Sequence, residues 1–267
     1  MKKLVLAAVV SSLFSATAMA NTSYNIEHGN DDESKFSIYH DIGLGFSGGV
    51  EFVTEGNLKR HKESNMRIDY NFDITDAWYI QPQFELTVPS GSRSRSNGQF
   101  TTPDGDKVNA SQRISNTAKF GLKTGYQFDN GLYTAARYRY EMAERKLNFN
   151  GKHKSTAHNL DIKEDNNIHR MDLTVGYVIA DTMDLSANYI YKRGDSKFDA
   201  NYTSDIKDKA HGKLEGNQSE VELKAKFIGF DSIHPYAMYT YKGDAEIKGL
   251  GKKAVDNVFS VGVNFNF

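Results

Sequence analysis

The chain has 267 residues, with 33 lysines and arginines against 34 aspartates and glutamates, no cysteine, one tryptophan, 15 tyrosines and 16 phenylalanines. A mean hydropathy of −0.60 is too polar for a bundle of membrane-spanning helices. The balanced charge argues against a nucleic-acid binder, and the missing thiols remove disulfides and cysteine-ligated metals.

Lys2 and Lys3, the apolar run Leu4 to Val10 and the small-x-small triplet Ala18-Met19-Ala20 form an export signal expected to be cleaved after Ala20. Its apolar segment is too short to span a bilayer. Without Lys2 and Lys3 the 33 cations become 31 against 34 carboxylates, a formal charge of −3 over residues 21–267.

Beyond Asn21 the dominant pattern is alternation by two, with no sustained helical period. Strands are predicted at 22–29, 35–42, 44–54, 65–73, 77–88, 115–128, 132–149, 167–179, 184–192, 218–228, 234–242 and 255–267, twelve in all. In 132–142, Leu132, Thr134, Ala136, Tyr138, Tyr140 and Met142 alternate with Tyr133, Arg137, Arg139 and Glu141. Met171, Leu173, Val175, Tyr177 and Ile179 alternate with Arg170, Asp172, Thr174 and Gly176, and the chain ends on Phe259, Val261, Val263, Phe265 and Phe267.

The connections alternate in length. Residues 73–76, 129–131 and 180–183 carry tight-turn chemistry. Long polar stretches near 55–64, 89–114, 150–166, 193–217 and 243–254 read as loops. Short turns at one end and long loops at the other fit an all-β, twelve-stranded antiparallel transmembrane barrel with its turns in the periplasm. Closure is required because lipid offers no partner to an unpaired edge. Trp78, Tyr126, Phe128, Tyr177, Phe265 and Phe267 fall at predicted periplasmic strand ends, where aromatic girdles sit. A soluble β-sandwich also alternates, but it explains neither the loop asymmetry nor the outward tyrosines.

Charge at the lipid face near the midplane costs several kcal/mol, so Arg137, Arg139 and Glu141 must face the lumen. The same parity turns Lys119, Lys123, Gln127, Arg170 and Asp172 inward. Lys119, Lys123, Arg137, Arg139 and Arg170 then line one wall, offset by Glu141 and Asp172. Lys224, Lys226 and Arg67 are candidates for a second positive stripe across the pore, although carboxylates share their strands. The alternative for every inward charge is simple cross-strand pairing. Guanidinium forks bind carboxylates bidentately, and a ladder of them offers an anion successive shallow sites. Twelve strands enclose a bore between a filled eight-stranded barrel and a wide sixteen-stranded one.

The run Gly131-Leu132-Tyr133-Thr134-Ala135-Ala136-Arg137-Tyr138-Arg139-Tyr140-Glu141, together with Asn167 to Asp172, Ile233 to Tyr241, Phe259 to Phe267 and Ala77 to Pro82, resembles the oligogalacturonate-specific and N-acetylneuraminate-specific outer-membrane porins. The resemblance implies a monomeric channel whose inward arginines, here Arg137, Arg139 and Arg170, conduct acidic oligosaccharides into the periplasm. Stretches 89–114 and 193–217 are longer than that family suggests. Phe267 resembles the terminal aromatic read by the barrel-assembly machinery, and outer-membrane lipid and lipopolysaccharide are expected neighbours; no cofactor, metal or nucleic acid is expected.

Two other classes stay open at this stage. A barrel phospholipase needs a serine–histidine pair, and no motif sets a serine beside a histidine here. A filled structural or adhesive barrel would carry no current. Asp31-Asp32-Glu33 lacks the ligand spacing of a calcium loop, and Gly45, Gly48 and Gly49 read as a bend or bulge and not a phosphate cradle.

Overall fold

The computed structural model describes residues 21–153, 156–204 and 207–267. The predicted export signal lies outside them. Twelve long strands form one antiparallel ring: β1 Thr22–Gly29, β2 Ser34–Gly43, β3 Phe46–Glu55, β4 Arg60–Tyr70, β5 Trp78–Pro89, β6 Thr117–Gln127, β7 Leu132–His153, β8 Thr156–Ile179, β9 Met183–Thr203, β10 Lys207–Phe227, β11 Ile233–Lys242 and β12 Val258–Asn266. Each pairs with its sequence neighbour, and Ser23↔Asn266 through Gly29↔Ser260 close β1 on β12, so no edge is left unpaired. All twelve predicted strands are present.

The turns at one end use left-handed backbone. Gly131 has φ 87° in the β6–β7 turn, whereas Ala180 and Asp181, at φ 47° and 53°, make the β8–β9 hairpin turn without glycine. Aromatic rings cluster at this end. Phe46, Tyr70 and Phe72 stack edge-on at centroid distances of 4.5 and 4.3 Å, Tyr126 on Phe128 at 4.8 Å, and Phe227 on Phe230 at 4.9 Å. Trp78 donates its indole N–H to Thr124 Oγ1 at 2.8 Å on the outward face.

The opposite rim corrects the loop assignments. β4 begins at Arg60, which leaves 56–59 as the only break after β3. The stretch 89–114 contains the one-turn helix Gly91–Ser94 and a hairpin, Arg95–Thr101 with Lys107–Ile114, whose second strand pairs with β7. Most of 150–166 and 193–217 belongs to β7 through β10, and Ala245–Ile247 pairs with Gly251–Lys253. At ~3.3 Å per residue, β7 is about 70 Å long, roughly twice what a tilted strand needs to cross a bilayer. The surplus stands above the membrane as a one-sided visor over a rim that is low at β1–β4.

The visor was hidden by an inversion of faces. In β7, Tyr138 and Met142 are exposed on the lipid side; beyond them the apolar residues Leu147 and Phe149 occupy the other face, that of Arg137 and Arg139. In β8, Leu160 and Ile162 share the parity of Arg170, while Met171, Leu173 and Val175 lie opposite. The pairing of β7 with β8 runs from Leu132↔Tyr177 to His153↔Thr156 without a bulge, so the strands do not rotate and the chemistry of each face changes. Where the outward face stops being apolar, the hydrocarbon ends.

Ion pairs knit the outer face of the visor. Lys213 bridges Asp195 and Glu215, each at 2.8 Å, and its hydrogen bonds hold both carboxyls below the usual carboxylate range while the Lys213 ammonium is raised by Asp195. Lowered acids contribute stability above their unfolded values of ~4, and that contribution is lost as pH falls through the lower folded values; the raised lysine contributes below ~10.4 and is lost above its folded value. The network is therefore complete from about pH 5 to 10. Carboxyl titration by NMR is expected to give midpoints for Asp195 and Glu215 below ~3.9 and ~4.3 respectively. Values above those would mean that Lys213 does not hold them in solution.

Candidate functional site in the barrel lumen

Cross-strand register places the predicted charges on one inner surface. Arg67↔Glu85↔Lys119↔Glu141 run side by side over β4–β7, and Lys123↔Arg137↔Asp172 over β6–β8. Their side chains are largely withdrawn from solvent, whereas Phe120, Leu122, Tyr138, Leu173 and Val175 of the same strands are exposed on the outside.

The arginines are paired. Arg137 Nε donates to Asp172 Oδ2 at 3.0 Å, and Arg170 donates to Asp172 Oδ1 at 2.7 Å through Nη2. Arg139 holds Glu141 at 2.5 Å and reaches over Gly121 to within 3.9 Å of Glu85, which also takes Lys119. Charge pairing is thus realised even on the wall where charge is most concentrated, across strands for Arg137–Asp172 and Lys119–Glu85 and along one strand for Arg139–Glu141 and Arg170–Asp172. A cationic surplus remains: Lys119, Lys123, Arg137, Arg139 and Arg170 are five charges against the three of Glu85, Glu141 and Asp172.

Lys123 and Lys224 differ from the rest. Among the described residues neither meets a carboxylate within ion-pair distance. Lys123 lies 5.5 Å from the Tyr79 ring centroid and Lys224 3.7 Å from that of Tyr236, so each charge rests on an aromatic face that leaves it available to a further anion. Arg67 similarly lies 5.3 Å from the Tyr39 ring while donating to Asp69 at 2.7 Å.

The expected second stripe is corrected by the ring order. Arg67 stands on β4 beside Glu85 and joins the β4–β8 wall. Lys224 and Lys226 stand on β10, six strands round, where Lys226 pairs with Asp184 at 2.9 Å and Lys192 with Glu220 at 2.7 Å. They are opposite one another and not one stripe. Facing β7 and β8 across the ring, β1–β3 carry Glu27, held by Lys35 at 2.8 Å, and Glu51, bound by Asn65 at 2.9 Å. The cationic wall therefore looks toward a carboxylate-bearing one.

Four inward tyrosines were not singled out from sequence. Tyr39, Tyr79, Tyr133 and Tyr236 are in direct cross-strand register with Gly49, Gly125, Gly176 and Gly262. Each ring lies down on the glycine, so the wall stays thin. A Cβ added at Gly176 would stand 2.2 Å from Tyr133, whose hydroxyl donates to Asp184 at 2.7 Å. Gly176→Ala is expected to destabilise the barrel by ~1–3 kcal/mol through overpacking, measurable by urea unfolding in vesicles. The glycine–tyrosine pairing was the available signal, but it needs the register to be known.

Two serines lie beside histidines: cross-strand register sets His28 Nδ1 2.8 Å from Ser34 Oγ, and three residues apart along β4 His61 Nε2 lies 3.0 Å from Ser64 Oγ. Among the described residues no carboxylate meets the other nitrogen of either ring, so neither pair has the third member that orients a catalytic base. Glu33, in the acidic Asp31-Asp32-Glu33 run, is taken up by Lys62.

A family model described as the autotransporter beta-domain matches residues 63–190, which run from β4 into β9. No curated protein matches the sequence. Among solved structures, a structure described as the NanC porin superposes with a TM-score of 0.53, covering 92% of this chain and 100% of that one at 13% identity. The KdgM porin, described in one structure as in complex with disordered oligogalacturonate, gives 0.55 over 92% and 98%, also at 13% identity. This chain has the fold of those porins. A closed ring with an apolar exterior belt and aromatic girdle is a multi-pass barrel of the bacterial outer membrane. The predicted fold and its resemblance to the acidic-sugar porins stand at that level.

Proposed function

We propose that the protein is an outer-membrane channel for passive diffusion of acidic, uronate-type oligosaccharides. The observation that carries this reading is the cationic surplus of the β5–β8 wall, with Lys123 resting on tyrosine and not on a carboxylate. A sugar carboxylate can exchange with Asp172 or Glu141 for an arginine already held straight and inward. Ion pairing then pre-organises the guanidinium, and the exchange of one carboxylate for another keeps each binding step shallow. The KdgM porin, described in complex with disordered oligogalacturonate, supports the same ligand class.

Arg137, Arg139 and Arg170 would bind carboxylates successively; Lys119, Lys123 and Arg67 extend that wall, and Lys224 and Lys226 act from β10, opposite Arg67. Transport needs no catalytic residue or cofactor in this reading. A cleaved signal over residues 1–20, assembly through Phe267 and a monomeric channel complete it.

Single-channel recording tests it. Current in a salt gradient is expected to favour anions, and oligogalacturonate is expected to block while neutral maltodextrins of equal length do not. Equal block by both would overturn the substrate class. Glu85→Gln, which releases Lys119 and relieves Arg139 of its second carboxylate, is expected to increase anion preference, seen as a larger reversal potential of unchanged sign.

A further inference from the structure

Above the hydrocarbon, Arg95, Arg113, Lys146 and Lys163 are direct cross-strand neighbours across four strands: Arg95↔Arg113, Arg113↔Lys146 and Lys146↔Lys163. All four are exposed. Like charges directly opposite one another in a sheet are destabilising, so a row of four requires counter-charge. Part of it is present, since Glu144 accepts from Lys146 at 3.2 Å and from Lys163 at 3.0 Å, and Asp165 lies 3.3 Å from Lys163. Among the described residues Arg95 and Arg113 have no carboxylate partner. The row borders a depression of about 500 Å³, whose lining adds Asn97, Ser111 and Asn148 and one carboxylate, Asp161, which accepts from the Asn148 amide at 2.6 Å.

Its place identifies the occupant. Lys146 has the parity of Tyr138 and Met142, and Lys163 that of Met171 and Leu173, so the row continues the lipid-facing surface and turns away from the pore axis. Lys146 is four residues beyond Met142, which at ~3.3 Å per residue and a tilt of ~45° puts it about 10 Å above the last lipid-facing apolar side chain. Polar amides surround it. Gln99, Asn109, Asn150 and Asn148 are linked in series at 2.9, 3.2 and 2.9 Å on the same face. Guanidinium forks with adjacent amides and hydroxyls suit phosphate groups borne on a saccharide.

We propose that this outward basic row is a binding site for the phosphorylated saccharide headgroup of the outer-leaflet glycolipid, lipopolysaccharide. It docks the visor onto the surrounding membrane and supplies the anions that Arg95 and Arg113 lack. The site is independent of what passes through the lumen.

The test uses the full chain in detergent and lipopolysaccharide micelles, with folding verified by heat-modifiable migration. The double variant Arg95→Gln/Arg113→Gln removes only the two cations without carboxylate partners, so the ion pairs of Lys146 and Lys163 are retained. Retention of lipopolysaccharide is expected to fall about fivefold for each cation removed, and dephosphorylated lipopolysaccharide is expected to bind the parent protein as weakly as the intact glycolipid binds the variant. Unchanged retention by the folded double variant, or equal binding of the dephosphorylated glycolipid, would overturn the site. Loss of oligogalacturonate block with unchanged glycolipid retention would also overturn it, by assigning the row to the transported sugar.

Discussion

Exchanging Arg137, Arg139 and Arg170 together for glutamine is expected to reverse the charge preference of the channel and not merely to weaken it. The three arginines share Asp172, Glu141 and Glu85. Removing the cations leaves the carboxylates in place, so the β5–β8 wall passes from five positive against three negative charges to Lys119 and Lys123 against the same three. Glutamine keeps the stems and some donors, which limits collapse of the wall, yet cannot neutralise Asp172. That carboxylate, with a side chain only 4% exposed, is the group most affected by the loss of its partners. The expected reversal potential in a salt gradient changes sign, and block by oligogalacturonate disappears. A potential of unchanged sign would mean that selectivity is set elsewhere, with Lys192, in register beside Arg170, and Lys224 and Lys226 on β10 as the first alternatives. Adding Asp172→Asn to the triple variant is then expected to move the potential back toward zero, because it removes the excess negative charge.

Where the lipid acts on the sequence, the sequence is legible. The twelve strands, their sidedness and the inward turn of Arg137, Arg139 and Arg170 all follow from the cost of placing charge against hydrocarbon, which imposes one parity on each strand. That rule has no force above Met142 in β7 or before Ile168 in β8. There the outward face meets water and headgroups, the apolar residues Leu147, Phe149, Leu160 and Ile162 change sides, and strands read as loops. Pairing is the second hidden layer. Whether Arg137 is free or holds Asp172 depends on which residues stand opposite one another, and so does the separation of Arg67 from Lys224 and Lys226. The tyrosines lying on glycines are legible only once the register is known, because Tyr236 and Gly262 are meaningless as a pair until β11 is set against β12.

The inversion of faces carries the other large effect. Leu173 lies midway along the lower half of β8, exposed on the outside between Ala136 and Tyr189. Ala157, on the same face of the same strand, is exposed near its upper end. If the outward surface near Leu173 touches hydrocarbon and that near Ala157 touches water, an identical substitution must have very different consequences. Leu173→Arg is expected to destabilise the barrel by ~2–4 kcal/mol, the cost of a guanidinium at the midplane after snorkelling and local thinning of the bilayer. Ala157→Arg is expected to change stability by no more than ~0.5 kcal/mol. Unfolding by urea from lipid vesicles measures both. In detergent micelles, whose apolar belt deforms around a charge, the Leu173→Arg penalty is expected to shrink while Ala157→Arg stays neutral. A comparable loss from both substitutions in vesicles would place the visor inside the membrane. With it would go the height assigned to the row from Arg95 to Lys163, and an outer leaflet that ended level with Met142 would no longer explain why the apolar face of β7 changes sides there.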